Sequence, residues 1–174
     1  MKVIFYGGQT AGLVVLLGLS AQSDVHIVGV IPQDDILIRV AKILHYKTND
    51  VDKLDDILYI KKLSKTVDAM ICCHGRKILK KELTDSIRCI NFHPCLYKYK
   101  GAFPIKKLLE NKDTKASVGA HFMTERIDKG PLIKEIFINL DQKKMNSECE
   151  VYIQLYSVYL EVLQKALLVL RKVL

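Results

Sequence analysis

The chain opens on a short apolar run, Lys2 to Tyr6, that stops at two glycines and reads as a buried strand. From Ala11 to Ala21, Leu and Val recur at helical spacing, and a second continuous apolar run from Val25 to Ile31 is closed by Pro32. Strand, glycine turn, helix and strand make a βαβ unit, which implies a parallel sheet with a right-handed crossover. Further along, helices are predicted over Ile36–Leu44 and Leu54–Lys65; in the second, apolar residues at 54, 57, 58, 60 and 63 keep a helical rhythm. Buried strands are expected at Val67–Cys73 and Ile87–Phe92, with a short helix or turn at Leu79–Ser86 between them. Pro104–Asn111 reads as a helix with proline in its first turn, where a missing N–H costs nothing. Ser117–Met123 and Leu132–Ile138 alternate as antiparallel strands do. Val151–Leu174 closes the chain as a long amphipathic helix, whose apolar face (Leu155, Leu160, Leu163, Leu167 and Leu170) is expected to cover the sheet, with a second subunit of a homodimer as the alternative. The expectation is one α/β domain over residues 1–174: a Rossmann-like, open, twisted and mostly parallel sheet with helices on both faces and antiparallel strands towards its C-terminal part.

Composition narrows the class without changing it. Hydrophobic residues make up 49% and charged residues 26% of 174, ordinary for a globular chain. Lys and Arg (27) outnumber Asp and Glu (19), giving a formal charge of +8, which favours an anionic partner: a nucleotide, a phosphorylated metabolite, an acidic cofactor or RNA. The lysines are scattered in pairs such as Lys61-Lys62 and Lys106-Lys107, and Trp is absent, which disfavours a nucleic-acid surface. Five cysteines without regular spacing point to a reducing cytoplasm. The apolar start resembles a signal peptide, but Gly7-Gly8-Gln9-Thr10 interrupts it, and no segment is expected to reach membrane-spanning length.

In an open α/β sheet, ligands bind beyond the carboxyl ends of the strands. Four loops qualify: Gly7 to Gly12, Pro32 to Asp35, His74 to Leu79 and Asn91 to Gly101. The first has glycines and a helix N-terminus that suit an anion, or it is a plain turn; it lacks both G-x-G-x-x-G and the Lys-Ser/Thr of a P-loop. Without that fingerprint Asp34 is a weak ribose-binding acid, and an NAD(P)-binding domain is disfavoured. In Ile90-Asn91-Phe92-His93-Pro94, strand alternation places Asn91 and His93 on one face and Phe92 on the other. An amide beside an imidazole suits carbonyl polarisation and proton transfer, although a turn cap and a half-buried histidine fit the same residues. Cys72-Cys73-His74 and Cys89, His93, Cys95 lack the usual zinc spacings, so no metal is expected; Cys95 with His93 as base remains a weak alternative.

Two longer patterns carry a resemblance. Cys89-Ile90-Asn91-Phe92-His93-Pro94-Cys95-Leu96-Tyr97-Lys98-Tyr99-Lys100-Gly101-Ala102-Phe103-Pro104-Ile105 resembles the Asn-x-His-Pro-Ser-Leu-Leu-Pro-x-Tyr-Arg-Gly-x-x-Pro signature of the formyltransferases that use 10-formyltetrahydrofolate. The stretch from Ser117 through His121 and Asp128-Lys129-Gly130-Pro131 to Ile133 is similar to that family's second signature, and Cys73 to Leu79 more weakly resembles its pterin loop. The resemblance implies catalytic roles for Asn91, His93 and Asp128, with His121 supporting the site on the carrier side. It implies that Arg76, Lys77, Ile78 and Leu79 cup the pterin of 10-formyltetrahydrofolate, largely through backbone groups. Gly8, Gln9, Thr10, Lys100 and Gly101 are the expected contacts of the amine acceptor.

Departures from the signatures bear on that acceptor. Cys95 replaces the usual serine and Tyr97-Lys98 the usual Leu-Pro. The first loop lacks the Gly-Ser-Asn expected around a glycinamide ribonucleotide phosphate, and Tyr152 to Leu174 lacks the Glu-His pair of that branch. The additional domain of the methionyl-tRNA branch is expected to be missing, although tRNA stays open as a partner. The expected acceptor is therefore an amino sugar, phosphorylated or nucleotide-linked. Glycinamide ribonucleotide and methionyl-tRNA are the alternatives, and a folate- or nucleotide-binding domain without catalysis is the reading from another class.

Overall fold

The computed structural model describes residues 1–173. Six strands form one sheet in the order β2-β1-β3-β4-β5-β6: β1 is Lys2–Gly7, β2 His26–Pro32, β3 Ala69–Cys73, β4 Arg88–Pro94, β5 Lys115–Phe122 and β6 Leu132–Asn139. The first four run parallel; β5 pairs antiparallel with β4, and β6 antiparallel with β5. Helices α1 (Gln9–Ser20), α2 (Asp35–Ile43), α5 (Pro104–Glu110) and α6 (Glu148–Val173) pack into the core on one face. On the other lie α3 (Ile57–Leu63) and α4 (Lys81–Ser86). This is the fold class that the periodicity predicts.

Strand alternation explains how the two layers divide. In β1, Val3 and Phe5 enter the α1/α6 layer, whereas Ile4 and Tyr6 enter the α3/α4 layer. In β3, Ala69, Ile71 and Cys73 alternate in the same way with Met70 and Cys72. In β4, Ile90 and Phe92 fill the α1/α6 layer, so Asn91 and His93 project to the opposite side.

Three details depart from the periodic reading. The helix predicted over Leu54–Lys65 is broken at Asp56, whose carboxylate caps α3 by accepting from the amides of Leu58 (2.8 Å) and Tyr59 (3.3 Å). Val51–Asp55 is a separate 3₁₀ turn. On α6, Leu160 is 41% exposed, and Val158, Tyr159, Val162 and Ala166 complete the buried face with Leu155, Leu163, Leu167 and Leu170. The wider stripe arises because one helix must cover β5, β6 and α1 together. Finally, α6 spans 26 residues and is long and apolar enough to cross a membrane, contrary to the expectation that no segment is. Its apolarity serves the core, since nine of its residues are buried in the fold. Each fully buried Leu or Val side chain there stabilises the fold by roughly 1.5–3 kcal/mol.

Candidate active site

The chain leaves β1 towards β2 on one side and returns to β3 on the other, so the carboxyl ends of β1 and β3 open a crevice between them. A cleft of about 760 Å³ lies at this edge, extending from Tyr6 and His74 past Asn91 and His93 to Phe103 and Asp128. Its volume is in the range of small-molecule sites.

Four segments converge at its polar centre. β4 carries Asn91 and His93; β5, its antiparallel neighbour, places His121 directly opposite Asn91 in the register. The turn between β5 and β6 brings in Asp128, held in the left-handed region (φ 50°). Gly130 makes this turn feasible, because a Cβ there would lie 1.7 Å from the Phe122 carbonyl oxygen. Asp128 Oδ1 lies 3.3 Å from Asn91 Nδ2 and 3.3 Å from His121 Nε2. Its Oδ2 lies 3.1 Å from His93 Nε2 and accepts the Gly101 amide at 2.8 Å.

The partners of His93 determine its protonation. Nδ1 faces the Pro94 carbonyl at 2.7 Å, and Nε2 faces both the Gly101 carbonyl at 3.0 Å and Asp128. Acceptors at both nitrogens call for an N–H on each, which is the imidazolium. Burial opposes that charge, but the Asp128 carboxylate and the two carbonyls outweigh it, and the His93 pKa rises above its usual 6.5. For Asp128, burial pushes the pKa up, yet the donors His121 and His93, the charge on His93 and the Gly101 amide together hold it well below the carboxylate range. The pair is a buried ion pair inside a satisfied network.

The segment from His74 to Leu79 forms one wall. Gly75 lies against Tyr6, where a Cβ would fall 2.2 Å from the ring. The Lys77 amide donates to the Tyr6 hydroxyl at 2.7 Å, the Arg76 amide to Gln33 Oε1 at 3.0 Å, and Lys77 Nζ is held by Asp55 (2.7 Å) and Asp52 (3.2 Å). Arg76 to Leu79 all line the cleft, with Ile78 largely exposed and Leu79 anchored in the core. His74 lies on the floor with Nε2 3.2 Å from the Tyr159 hydroxyl. Burial, aided by the charge of His93, pushes its pKa down to about 4 and keeps it neutral.

The glycine loop is less open than its sequence suggests. The Gly8 amide donates to the Cys73 carbonyl at 3.1 Å, and the Gln9 amide donates to Asp34 Oδ2. Asp34 Oδ1 meanwhile caps α2 by accepting from Leu37 at 2.9 Å. A carboxylate of the protein thus occupies the start of α1, where an anion would otherwise sit. Of the expected acceptor contacts, Gln9 and Gly101 line the cleft and Gly8, Thr10 and Lys100 do not. Gly101 faces Asp128 and His93 through its own peptide groups. Glu148 and Tyr152, one turn apart at the start of α6, also line the cleft, and no local signal marks them in the sequence. Asp34 does have a signal, a helix N-cap position just past a strand.

The two cysteine-histidine groupings do not converge. Cys72 and Cys73 enter opposite layers of the core, as do Cys89 and Cys95. Burial pushes the Cys95 thiol up to about 11, the reverse of an activated nucleophile.

Comparison with known proteins agrees with the geometry. The formyl transferase family model matches residues 1–166, and the chain belongs to that family. A methionyl-tRNA formyltransferase of Nitratiruptor sp. is 30% identical over 149 residues, covering 76% of this chain and 49% of the relative. The chain spans about half the length of such curated relatives. Among solved structures, phosphoribosylglycinamide formyltransferase of Campylobacter jejuni superposes with a TM-score of 0.78 at 22% identity, covering 97% of this chain and 98% of that one. A sugar N-formyltransferase of Shewanella superposes at 0.76 and 19% identity, covering 98% and 69%. These two likenesses establish the shared fold.

Proposed function

We propose that the protein transfers a formyl group from 10-formyltetrahydrofolate to the primary amine of a nucleotide-linked amino sugar. The observation that carries this reading is the buried Asn91–His93–Asp128 network at the floor of a cleft large enough for a folate. Arg76 to Leu79 offer backbone groups and the exposed Ile78 side chain to a flat heterocycle, and the folate supplies the formyl carbon.

The chain's own residues manage charge and protons. As the acceptor amine attacks, the carbonyl oxygen gains negative charge, and Asn91 Nδ2 and the His93 imidazolium donate to it, His93 exchanging its contact with the Gly101 carbonyl for one with that oxygen. Asp128, held ionised, keeps His93 charged and oriented. The amine's proton passes through the His93–Asp128 pair to the departing nitrogen, so no net proton is gained.

The position of Asp34 supports a sugar amine. A phosphate seated at the start of α1 would meet this carboxylate, and two like unit charges 4 Å apart near a protein surface repel by about 4 kcal/mol. An acceptor whose phosphates lie away from the amine avoids this. Glycinamide ribonucleotide is the second reading, favoured by the nearly complete overlap with the C. jejuni fold. Four of the five cysteines are buried as free thiols, in keeping with a reducing cytoplasm as the proposed location.

The test is to incubate the protein with 10-formyltetrahydrofolate and a panel of amines while following tetrahydrofolate release. Turnover with an aminodeoxy sugar nucleotide, abolished in His93→Ala, is expected. Turnover with glycinamide ribonucleotide alone would replace the acceptor, and unchanged turnover in His93→Ala would end the mechanism.

A further inference from the structure

A second, smaller pocket of about 250 Å³ lies in the α3/α4 layer and shares no lining residue with the catalytic cleft. One wall is the extended segment after α2, fastened to β2 by the Val30 amide donating to Lys47 O (2.8 Å) and the Asn49 amide donating to Val30 O (2.9 Å). On such a segment alternate side chains share a face, so Lys47 and Asn49 both line the pocket while Thr48 does not. Gly29 permits the close approach, because a Cβ there would lie 2.8 Å from Asn49 Nδ2. The other wall is one face of α3 and its continuation: Tyr59, Lys62, Leu63 and Thr66, at i, i+3, i+4 and i+7. Lys53 closes the rim, over an apolar floor of Ile4 and Val28.

Two independent observations point to an anion. First, the lining has three exposed lysines and no carboxylate, and none of Lys47, Lys53 and Lys62 belongs to an ion pair among the described residues. The carboxylates nearest in sequence are engaged elsewhere: Asp50 and Asp56 cap turns, Asp52 pairs with Lys77, and Asp55 pairs with Lys77 and Lys80. Second, the hydroxyl of the lining residue Tyr59 is covered and without a hydrogen-bond partner, and no other buried side-chain polar atom among the described residues is left so. A buried hydroxyl without a partner is costly, and a ligand oxygen would satisfy it.

We infer that this pocket binds a small phosphate-bearing metabolite, with its phosphate among Lys47, Lys53 and Lys62, one oxygen reaching the Tyr59 hydroxyl once a turn of that side chain uncovers it, and its uncharged body on Ile4, Val28 and Leu63. Three ammonium groups match a phosphate dianion, and the volume far exceeds the roughly 15 Å³ that one ordered water needs. A position on the layer opposite α1 and α6, with a lining separate from the catalytic cleft, makes it a binding site in its own right.

Isothermal titration with glycerol 3-phosphate, and with glycerol as the uncharged control, tests the site. Glycerol 3-phosphate is expected to bind and glycerol not to. Lys62→Glu should weaken binding by about tenfold or more, and Tyr59→Phe, which removes only the hydroxyl, by about threefold to tenfold. Lys61→Glu, a charge change at a neighbouring exposed residue outside the lining, should leave it within about twofold. His93→Ala should bind as the wild type does, separating this pocket from the cleft. Absence of binding, equal affinity for glycerol, an undiminished affinity in Lys62→Glu and Tyr59→Phe, or an equal loss in Lys61→Glu would each overturn the assignment.

Discussion

Two aspartates do related work at the two ends of the catalytic edge. Asp34, between β2 and α2, takes its donors from backbone amides alone: Gln9 at the start of α1 and Leu37 in the first turn of α2. Asp128, between β5 and β6, takes them mainly from side chains (Asn91, His93 and His121), with one amide from Gly101. A carboxylate held by amides meets partners that never change protonation, so it joins two helices and stabilises the fold. A carboxylate held by an imidazolium controls where a proton resides, and that is the requirement of catalysis. The same functional group is structural at one site and chemical at the other because of what donates to it.

The largest expected effect falls on the chemical aspartate. Asp128→Asn keeps the shape but loses the charge that sustains the His93 imidazolium, and kcat for formyl transfer should fall by about a thousandfold or more. A loss of less than tenfold in steady-state assays would end the distinction drawn between the two carboxylates. Asn91→Ala removes one donor to the developing oxyanion and should lower kcat by about a hundredfold, with a smaller change in KM. An effect confined to KM would assign Asn91 to binding.

Asp34→Ala should show the opposite pattern. One carboxylate capping two helices stabilises by about 1–2 kcal/mol, so thermal denaturation should move down by about 2–8 °C. The kcat of the folded variant should stay within about threefold of wild type. A loss of kcat on the Asp128 scale with Tm unchanged would make Asp34 part of the catalytic machinery.

The smallest effect is the dependence of the Asp128 network on pH. The His93 pKa is raised in the fold, so its contribution is fully present below about pH 6.5 and is lost as pH rises through the folded-state value. The Asp128 pKa is lowered, so its contribution is present above about pH 4 and is lost as pH falls. The difference in Tm between wild type and Asp128→Asn should therefore be widest between about pH 4 and 6.5 and narrow on both sides. His74, neutral down to about pH 4, weakens both proteins as acid protonates the unfolded chain; burial, the larger cause of its shift, is common to both, so only the smaller part due to the His93 charge enters the difference. A difference that grows steadily to pH 9 would show that His93 is not charged in the fold.

Legibility differed by region for physical reasons. The parallel half of the sheet could be read because Val3 to Tyr6 and Ala69 to Cys73 are buried on both faces, and continuous apolar runs record that directly. The break at Asp56 could not be read, because Ile57, Leu58 and Ile60 continue the helical spacing across a capping residue whose effect depends on its own side-chain conformation. In the site, the pairing of Asn91 with His93 follows from strand alternation, whereas Asp128, followed by Lys129-Gly130, has the local pattern of a turn residue and is marked only by the resemblance of a longer signature. Asp34 is legible as an N-cap, since it stands between a strand and the apolar periodicity of α2, but not as the acceptor of the Gln9 amide, which lies 25 residues away.

By itself the sequence determined what repeats along the backbone: the order of strands and helices, the side of β4 that Asn91 and His93 share, and the apolar character of the last helix. Backbone geometry has fixed periods of about 2 and 3.6 residues, so these properties are local and survive without a third dimension. The tertiary structure alone decided which charges meet. Antiparallel pairing of β4 with β5, and the turn that Gly130 allows, carry Asp128 across 35 residues to His93. The crossing of two loops puts Asp34 in the anion position of α1, and one face of α3 set against the 47–49 segment gathers three scattered lysines around Tyr59. Electrostatics and desolvation act through space, and a linear pattern holds no record of distances that the fold creates.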